Sequence, residues 1–296
     1  MEKPMGLADA WVLYETAVLS SSKMRSQVTE YGRWKNYIAP VFAEKAIDSV
    51  TNFDLLILRR DLERRNLSPQ TVYHCLSLLR RVLRKFAEWT RHEKCLPSFK
   101  GVMPQFDNTR TRFLNHDELH LILDILAEEK SKNWYEIVSF AVNTGLRRSE
   151  IFNLRLNDVN FNTGIVAVMD TKSNKNRNIQ LNDVAFDIAV KKKRILSTGN
   201  DHLFEDKSPR IFRNAVKDSG LNDEITDLRH KVVFHTLRHT FASWLVQSGY
   251  PIAMVSQMLG HSSINVTMRY AHLAPSQARE AVNLISRIFK YGGNTI

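Results

Sequence analysis

Apolar residues recur at three- and four-residue steps along most of this 296-residue chain, and a chain with that period must fold largely as packed amphipathic helices. Leu7, Ala10, Trp11, Tyr14, Ala17 and Val18 predict a first helix over 7–20. A second is expected from Met24 to Ile38, stopping before Pro40, because the residue ahead of a proline avoids helical angles. Thr51 or Asn52 can cap a third, with Leu55, Leu56, Leu58 and Leu62 facing inward and Arg59, Arg60, Arg64 and Arg65 outward. Ser68-Pro69 opens a fourth, about 69–91, whose core residues alternate with Arg80, Arg81, Arg84 and Lys85.

The period then breaks. Pro97, Gly101, Pro104 and Asn108 punctuate a stretch with scattered Lys100, Arg110 and Arg112, so 96–112 is the expected linker. Too long for one average domain, the chain is expected to form a helical domain over 1–95 and a larger one over 113–296. The larger domain opens with Asn115 as N-cap and Glu118 three residues on. Helices are expected at about 134–143, 148–154, 184–196, 209–219, 237–248, 251–259, 264–271 and 276–289. The one clear β signal is a hairpin, Gly164–Met169 and Asn178–Leu181, joined by a lysine-rich stretch from Asp170 to Arg177.

Charge decides the partner class. A net charge of +11 concentrates polyanions around the protein, making nucleic acid the expected partner ahead of an anionic membrane. No run approaches the roughly 18 apolar residues that a membrane span needs. Two cysteines, Cys75 and Cys95, and no secretory pattern at the start suit a cytoplasmic protein.

Phosphodiester chemistry is suggested by a cluster of residue types. Arg147 and Glu150 lie three apart at a helix start and share a face, as do His235 and Arg238. His261 follows Gly260, and Tyr270 lies nine residues beyond. Guanidinium groups can hold non-bridging oxygens, imidazoles can move protons, and a phenol can attack phosphorus. Bland readings stand beside these: an ion pair for Arg147 and Glu150, a capping role for His261, a core position for Tyr270. His235 and His239 also have the i, i+4 spacing of a zinc pair, but Thr236 stands where such a site needs glutamate, so no metal is expected. His239 either supports the site or packs in the core.

Thr144-Gly145-Leu146-Arg147-Arg148-Ser149-Glu150, His235-Thr236-Leu237-Arg238-His239, Leu259-Gly260-His261 and Arg269-Tyr270, in that order, resemble the tyrosine site-specific recombinases, the phage integrase and Xer-type enzymes. The resemblance implies a mainly α fold: an N-terminal four-helix, SAM-like core-binding domain and a mainly α catalytic domain with a small antiparallel sheet. Together they would close around double-stranded DNA as a C-shaped clamp. It implies Tyr270 as nucleophile and Arg147 and Arg238 as phosphate clamps, with Glu150 orienting Arg147. Lys172 in the hairpin turn would be the general acid, ahead of its rival Lys175, and His235 and His261 would complete the set.

It further implies site-specific integration or excision through a 3′-phosphotyrosyl link and a Holliday junction in a homo-tetramer on paired sites. No cofactor, metal or ATP is called for, and accessory DNA-bending or directionality factors are compatible with it. The helix at 276–289 resembles the family tail that docks on a neighbouring subunit, though its apolar face could pack on its own domain. Because the helical module starts almost at Met1, a simple integrase, an Xer-like resolvase or an inversion enzyme is expected. A type IB topoisomerase shares the residue set, but size and box spacing count against it. A non-catalytic DNA-binding protein on this fold is disfavoured by the intact residues.

Overall fold

The computed structural model describes residues 5–90, 96–128, 132–169, 176–196, 198–199, 201–205, 208–275 and 282–283. Two compact units emerge, Met1–Asn108 and Thr109–Ile296. Among the described residues no helix is long and apolar enough to cross a membrane.

In the first unit α1, Leu7–Tyr14, runs into a wider π turn, Glu15–Leu19. Next come α2, Met24–Arg33, a second π turn, Trp34–Ile38, and α3, Ala39–Phe42. The expected stop before Pro40 does not occur. The π turn lets the Ala39 N–H reach the Trp34 carbonyl, and Pro40 falls in the first turn of α3, where its missing N–H needs no partner. Thr51 caps α4, Asn52–Arg64: its hydroxyl accepts the Asp54 N–H, and Asp54 reaches back to the Thr51 N–H. Helix α5, Pro69–Thr90, buries Val72, Leu76, Leu79, Val82 and Leu83 against Leu55, Leu58 and Leu62. Trp11 and Trp34 stack at 4.6 Å within the same core. Of the stretch expected to be a linker, Leu96, Phe99, Val102 and Met103 also pack on this core.

The second unit has α6, His116–Leu126, capped by Asn115, then α7, Lys132–Thr144, and the short α8, Arg148–Ile151. Three antiparallel strands follow in the order β1, Val159–Asn160, β2, Ile165–Val168, and β3, Arg177–Gln180. The β2–β3 register pairs Val166 with Ile179 and Val168 with Arg177, which puts Val166, Val168 and Ile179 into the core. The short β1 carries too few residues to show alternation, and the sequence did not reveal it. Helices α9, Asp183–Ile195, α10, Arg210–Asp218, α11, Phe234–Gln247, and α12, Ile252–Leu259, complete the scaffold around Trp134, Phe140, Phe204 and Phe212.

The helix expected at 264–271 is instead two 3-10 segments, Ile264–Val266 and Met268–Leu273. Their i→i+3 bonds, Thr267 N–H to Ile264 and Tyr270 N–H to Thr267, repeat every three residues and turn Thr267, Tyr270 and Leu273 toward the protein. The expected C-terminal helix lies outside the described residues, apart from Val282 and Asn283.

Leu56 is 38% exposed, while Leu55, Leu58 and Leu62 are fully buried, so one of the four leucines assigned inward faces out. Leu58→Ala is therefore expected to cost about 2–5 kcal/mol. Leu56→Ala should stay within about 0.5 kcal/mol. Urea denaturation of both variants checks the assignment of the two faces.

Candidate active site

Helix α11 begins at Phe234 rather than Leu237, because the Thr236 hydroxyl accepts the Val233 N–H (3.0 Å) and closes the first turn. His235 thus stands on the first turn, with Arg238 one turn on. The Arg238 side chain is almost fully buried, and among the described residues it takes no carboxylate partner directly. Its Nη1 donates to the Gly145 carbonyl (2.8 Å) and its Nη2 to the Leu259 carbonyl (2.7 Å). Those carbonyls sit where α7 and α12 end, at the negative poles of the two helices, which suits a buried cation. Gly145 and Gly260 hold these ends in left-handed conformation, with φ of +63° and +66°. A Cβ on Gly145 would lie 2.3 Å from the Phe241 ring.

Arg147 reaches the same place from the other side. Its Nη2 donates to the Gly260 carbonyl (3.2 Å), its Nη1 to Glu150 Oε1 (2.8 Å), and its backbone N–H to Glu150 Oε2 (2.7 Å). The two guanidinium groups therefore share one loop, Leu259-Gly260, and feel each other: Arg238 is pushed down to about 9, by burial first and then by the charge of Arg147.

His261 follows that loop, its Nδ1 hydrogen-bonded to the Thr267 hydroxyl (2.8 Å). Tyr270 packs among Ala242, Val246, Val255 and Leu259, and its hydroxyl is hydrogen-bonded to Nδ1 of His239. Burial pushes this phenol up to about 12, with Arg269 and Arg238 pulling the other way. Burial holds His239 down to about 3 and His261 to about 4, assisted by neighbouring positive groups. His235 keeps an exposed face and is also lowered, by desolvation and then by Arg238 and Arg147. Its ring meets that of His239 edge to face at 4.8 Å. Arg147, Glu150, His235, Arg238, His261 and Tyr270 are thus drawn into one region of the second unit. Lys172 and Lys175 lie outside the described residues.

The phage integrase family profile matches residues 112–277, more than half the chain and the whole of this residue set apart from the ends of the unit. The chain belongs to the phage integrase family. It is 34% identical to the integrase of Salmonella phage P22 over 239 residues, 72% of this chain and 57% of that protein. With tyrosine recombinase XerA of Pyrococcus furiosus it shares 28% over 187 residues, 60% of this chain and 63% of that protein. The chain therefore spans less than two thirds of either relative. Among solved structures, the Tn1549 transposon integrase in complex with transposon right end DNA superposes with a TM-score of 0.74 at 17% identity, covering 95% of this chain and all of that one. A lambda integrase dimer bound to a COC′ core site gives 0.72 at 19%, covering 92% and 97%. These two likenesses establish the fold.

One residue of this integrase-family site escaped the sequence reading. Arg177 opens β3 and forms a two-armed ion pair with Glu150 (2.9 Å on each oxygen), and its Nε donates to the Met258 carbonyl (3.3 Å). Burial works to raise Glu150, but Arg177 and Arg147 outweigh it and hold the carboxylate below its ordinary range. A signal was present. Arg177 shares the parity of Ile179, the inward face of the strand, and an inward arginine needs a carboxylate.

Arg177→Met is expected to destabilise by about 3–5 kcal/mol, because Glu150 loses its two-armed partner inside the protein. Arg177→Lys should recover little, since an ammonium cannot reproduce the fork; urea denaturation measures both. For the histidines the sign is set by pKa values lying below the ordinary 6.5 in the fold. As pH falls through 6.5 the unfolded chain binds protons that folded His239 and His261 do not, so stability drops until about pH 4 on account of His261 and about pH 3 on account of His239. Denaturation midpoints between pH 7 and 4 should fall, and His239→Asn should make that fall shallower.

Proposed function

We propose that the protein is a site-specific DNA recombinase that breaks and rejoins strands through Tyr270. The observation that carries this reading is the convergence of Arg147 and Arg238 on the Leu259-Gly260 loop, beside His261 and the Tyr270–His239 pair. Arg147 and Arg177 both pair with one carboxylate, Glu150, and the buried Arg238 lies close enough to feel it, so positive charge is concentrated in the region. A phosphodiester is the anion that fits. Its entry would relieve the repulsion from Arg147 that adds to burial in pushing Arg238 down.

In this mechanism Arg147 and Arg238 hold the non-bridging oxygens, and His261 donates a hydrogen bond to the developing charge. The Tyr270 oxygen attacks phosphorus, the bond to the 5′ oxygen breaks, and Lys172 protonates the leaving oxygen while His235 assists proton transfer. A phenol near 12 is ionised in only about one molecule in 10⁵ at pH 7. Its proton must therefore pass to solvent, with His235 assisting, as the phosphorus bond forms under the field of the arginines. One phosphodiester is exchanged for a 3′-phosphotyrosyl ester, so bond energy is conserved and ATP is not needed. A 5′-hydroxyl of a partner duplex then reverses the step, and paired exchanges within a homo-tetramer pass through a Holliday junction.

Double-stranded DNA as substrate is supported by the chain's net charge of +11 and by the DNA-bound integrases that share its fold. The helical unit formed by the first hundred residues would contribute phosphate contacts through its basic helix faces. The domain scheme of 1–95, linker 96–112 and 113–296 belongs to this proposal, as do a cytoplasmic location and accessory DNA-bending or directionality factors.

The test uses a nicked duplex carrying the recognition site, selected by binding from random-sequence duplexes. Incubation in EDTA should yield a covalent protein–DNA adduct on denaturing gels, absent in Tyr270→Phe. An adduct that survives in Tyr270→Phe, or forms only with magnesium, overturns the assignment. Relaxation of plasmids lacking the site would point to topoisomerase action.

A further inference from the structure

The Tyr270 ring is fixed in place by hydrocarbon, but hydrocarbon cannot choose where a hydroxyl points. Ala242, Val246, Val255 and Leu259 surround the ring, leaving rotation about the bond to oxygen to be set by polar contact. That contact comes from His239. Consecutive residues on α11 diverge, so Arg238 turns to the Gly145 and Leu259 carbonyls while His239 turns to Tyr270. The segment carrying Tyr270 is a short 3-10 run without an α-helical ladder. Two histidines pin it: His261 at Thr267, and His239 at Tyr270.

We propose that His239 is a positioning residue for the nucleophile, its Nδ1 accepting the hydrogen bond of the Tyr270 hydroxyl and so setting where the phenol oxygen presents its lone pairs. The inference rests on Tyr270 being the nucleophile and adds a residue to that site. The phenol, held near 12, stays protonated and donates; the imidazole, held near 3, stays neutral and accepts, which places its ring proton on Nε2. Burial is the first cause on both sides, so the bond persists across the working pH range.

Position-specific rescue separates this role from simple packing. Asparagine can set its Oδ1 where Nδ1 stands, whereas glutamine reaches the level of Nε2. With saturating nicked site in single-turnover conditions, His239→Ala should slow adduct formation by at least about tenfold, because the hydroxyl proton, and with it the attacking lone pair, loses its set orientation. Affinity for the intact site should stay within about twofold, since the hydroxyl contact acts on the reacting step rather than on binding. His239→Asn should recover most of the rate, and His239→Gln should not. If His239→Ala does not fold, the Asn and Gln variants decide the matter alone. Wild-type rates in His239→Ala, equal rates in Asn and Gln, or losses that track DNA affinity or melting temperature overturn the proposal. Tyr270→Phe is run alongside: an adduct there fails the nucleophile reading itself, whereas its absence, with His239 variants unaffected, fails this inference only.

Discussion

The Glu150 carboxylate accepts hydrogen bonds from two guanidinium groups at once while its side chain is only 6% exposed. Taking such a group out of water costs several kcal/mol unless every lone pair finds a donor. Here Arg177 supplies two bonds, and Arg147 supplies one from its side chain and one from its backbone. Three parts of the unit are tied by this arrangement: the start of α8, the start of β3 and, through the Arg177 bond to Met258, the end of α12. The start of β3 is thereby anchored beside the loop that presents the Gly260 carbonyl.

A second consequence is electrostatic. Two arginines pair with one carboxylate, and the more buried Arg238 donates to two helix-end carbonyls and feels Glu150 at a distance. Such a concentration of guanidinium groups suits the anion of the proposed function. The site's histidines stay neutral because burial, and after it the neighbouring positive charge, disfavours the imidazolium, and its tyrosine stays protonated because it is buried. For the proposed phosphodiester chemistry, preorganised charge of this kind would act without reorganisation.

Much of the scaffold was legible from local chemistry. Capping at Thr51 and Asn115, the Ser68-Pro69 start and the inward face of α5 follow from interactions within a few residues. Errors arose where the period was not that of a plain α-helix. The π turn at Trp34–Ile38 carried the chain through Pro40, and the 3-10 run at Met268–Leu273 replaced an expected α-helix. Leu56 looked inward by composition, yet it lies on the outer face beside exposed Phe53 and Ile57.

Residue type and i, i+3 spacing showed that Arg147 and Glu150, and His235 and Arg238, share a helix face, whereas His261 and Tyr270 were singled out by the family resemblance. Tertiary structure alone decided that Arg177 braces Glu150, that Arg238 is compensated by the ends of two helices, and that His239 rather than another group meets Tyr270. Each of these contacts joins residues from different elements, 21 to 93 positions apart. A local pattern reports which way a side chain faces; only packing brings the partner it will face.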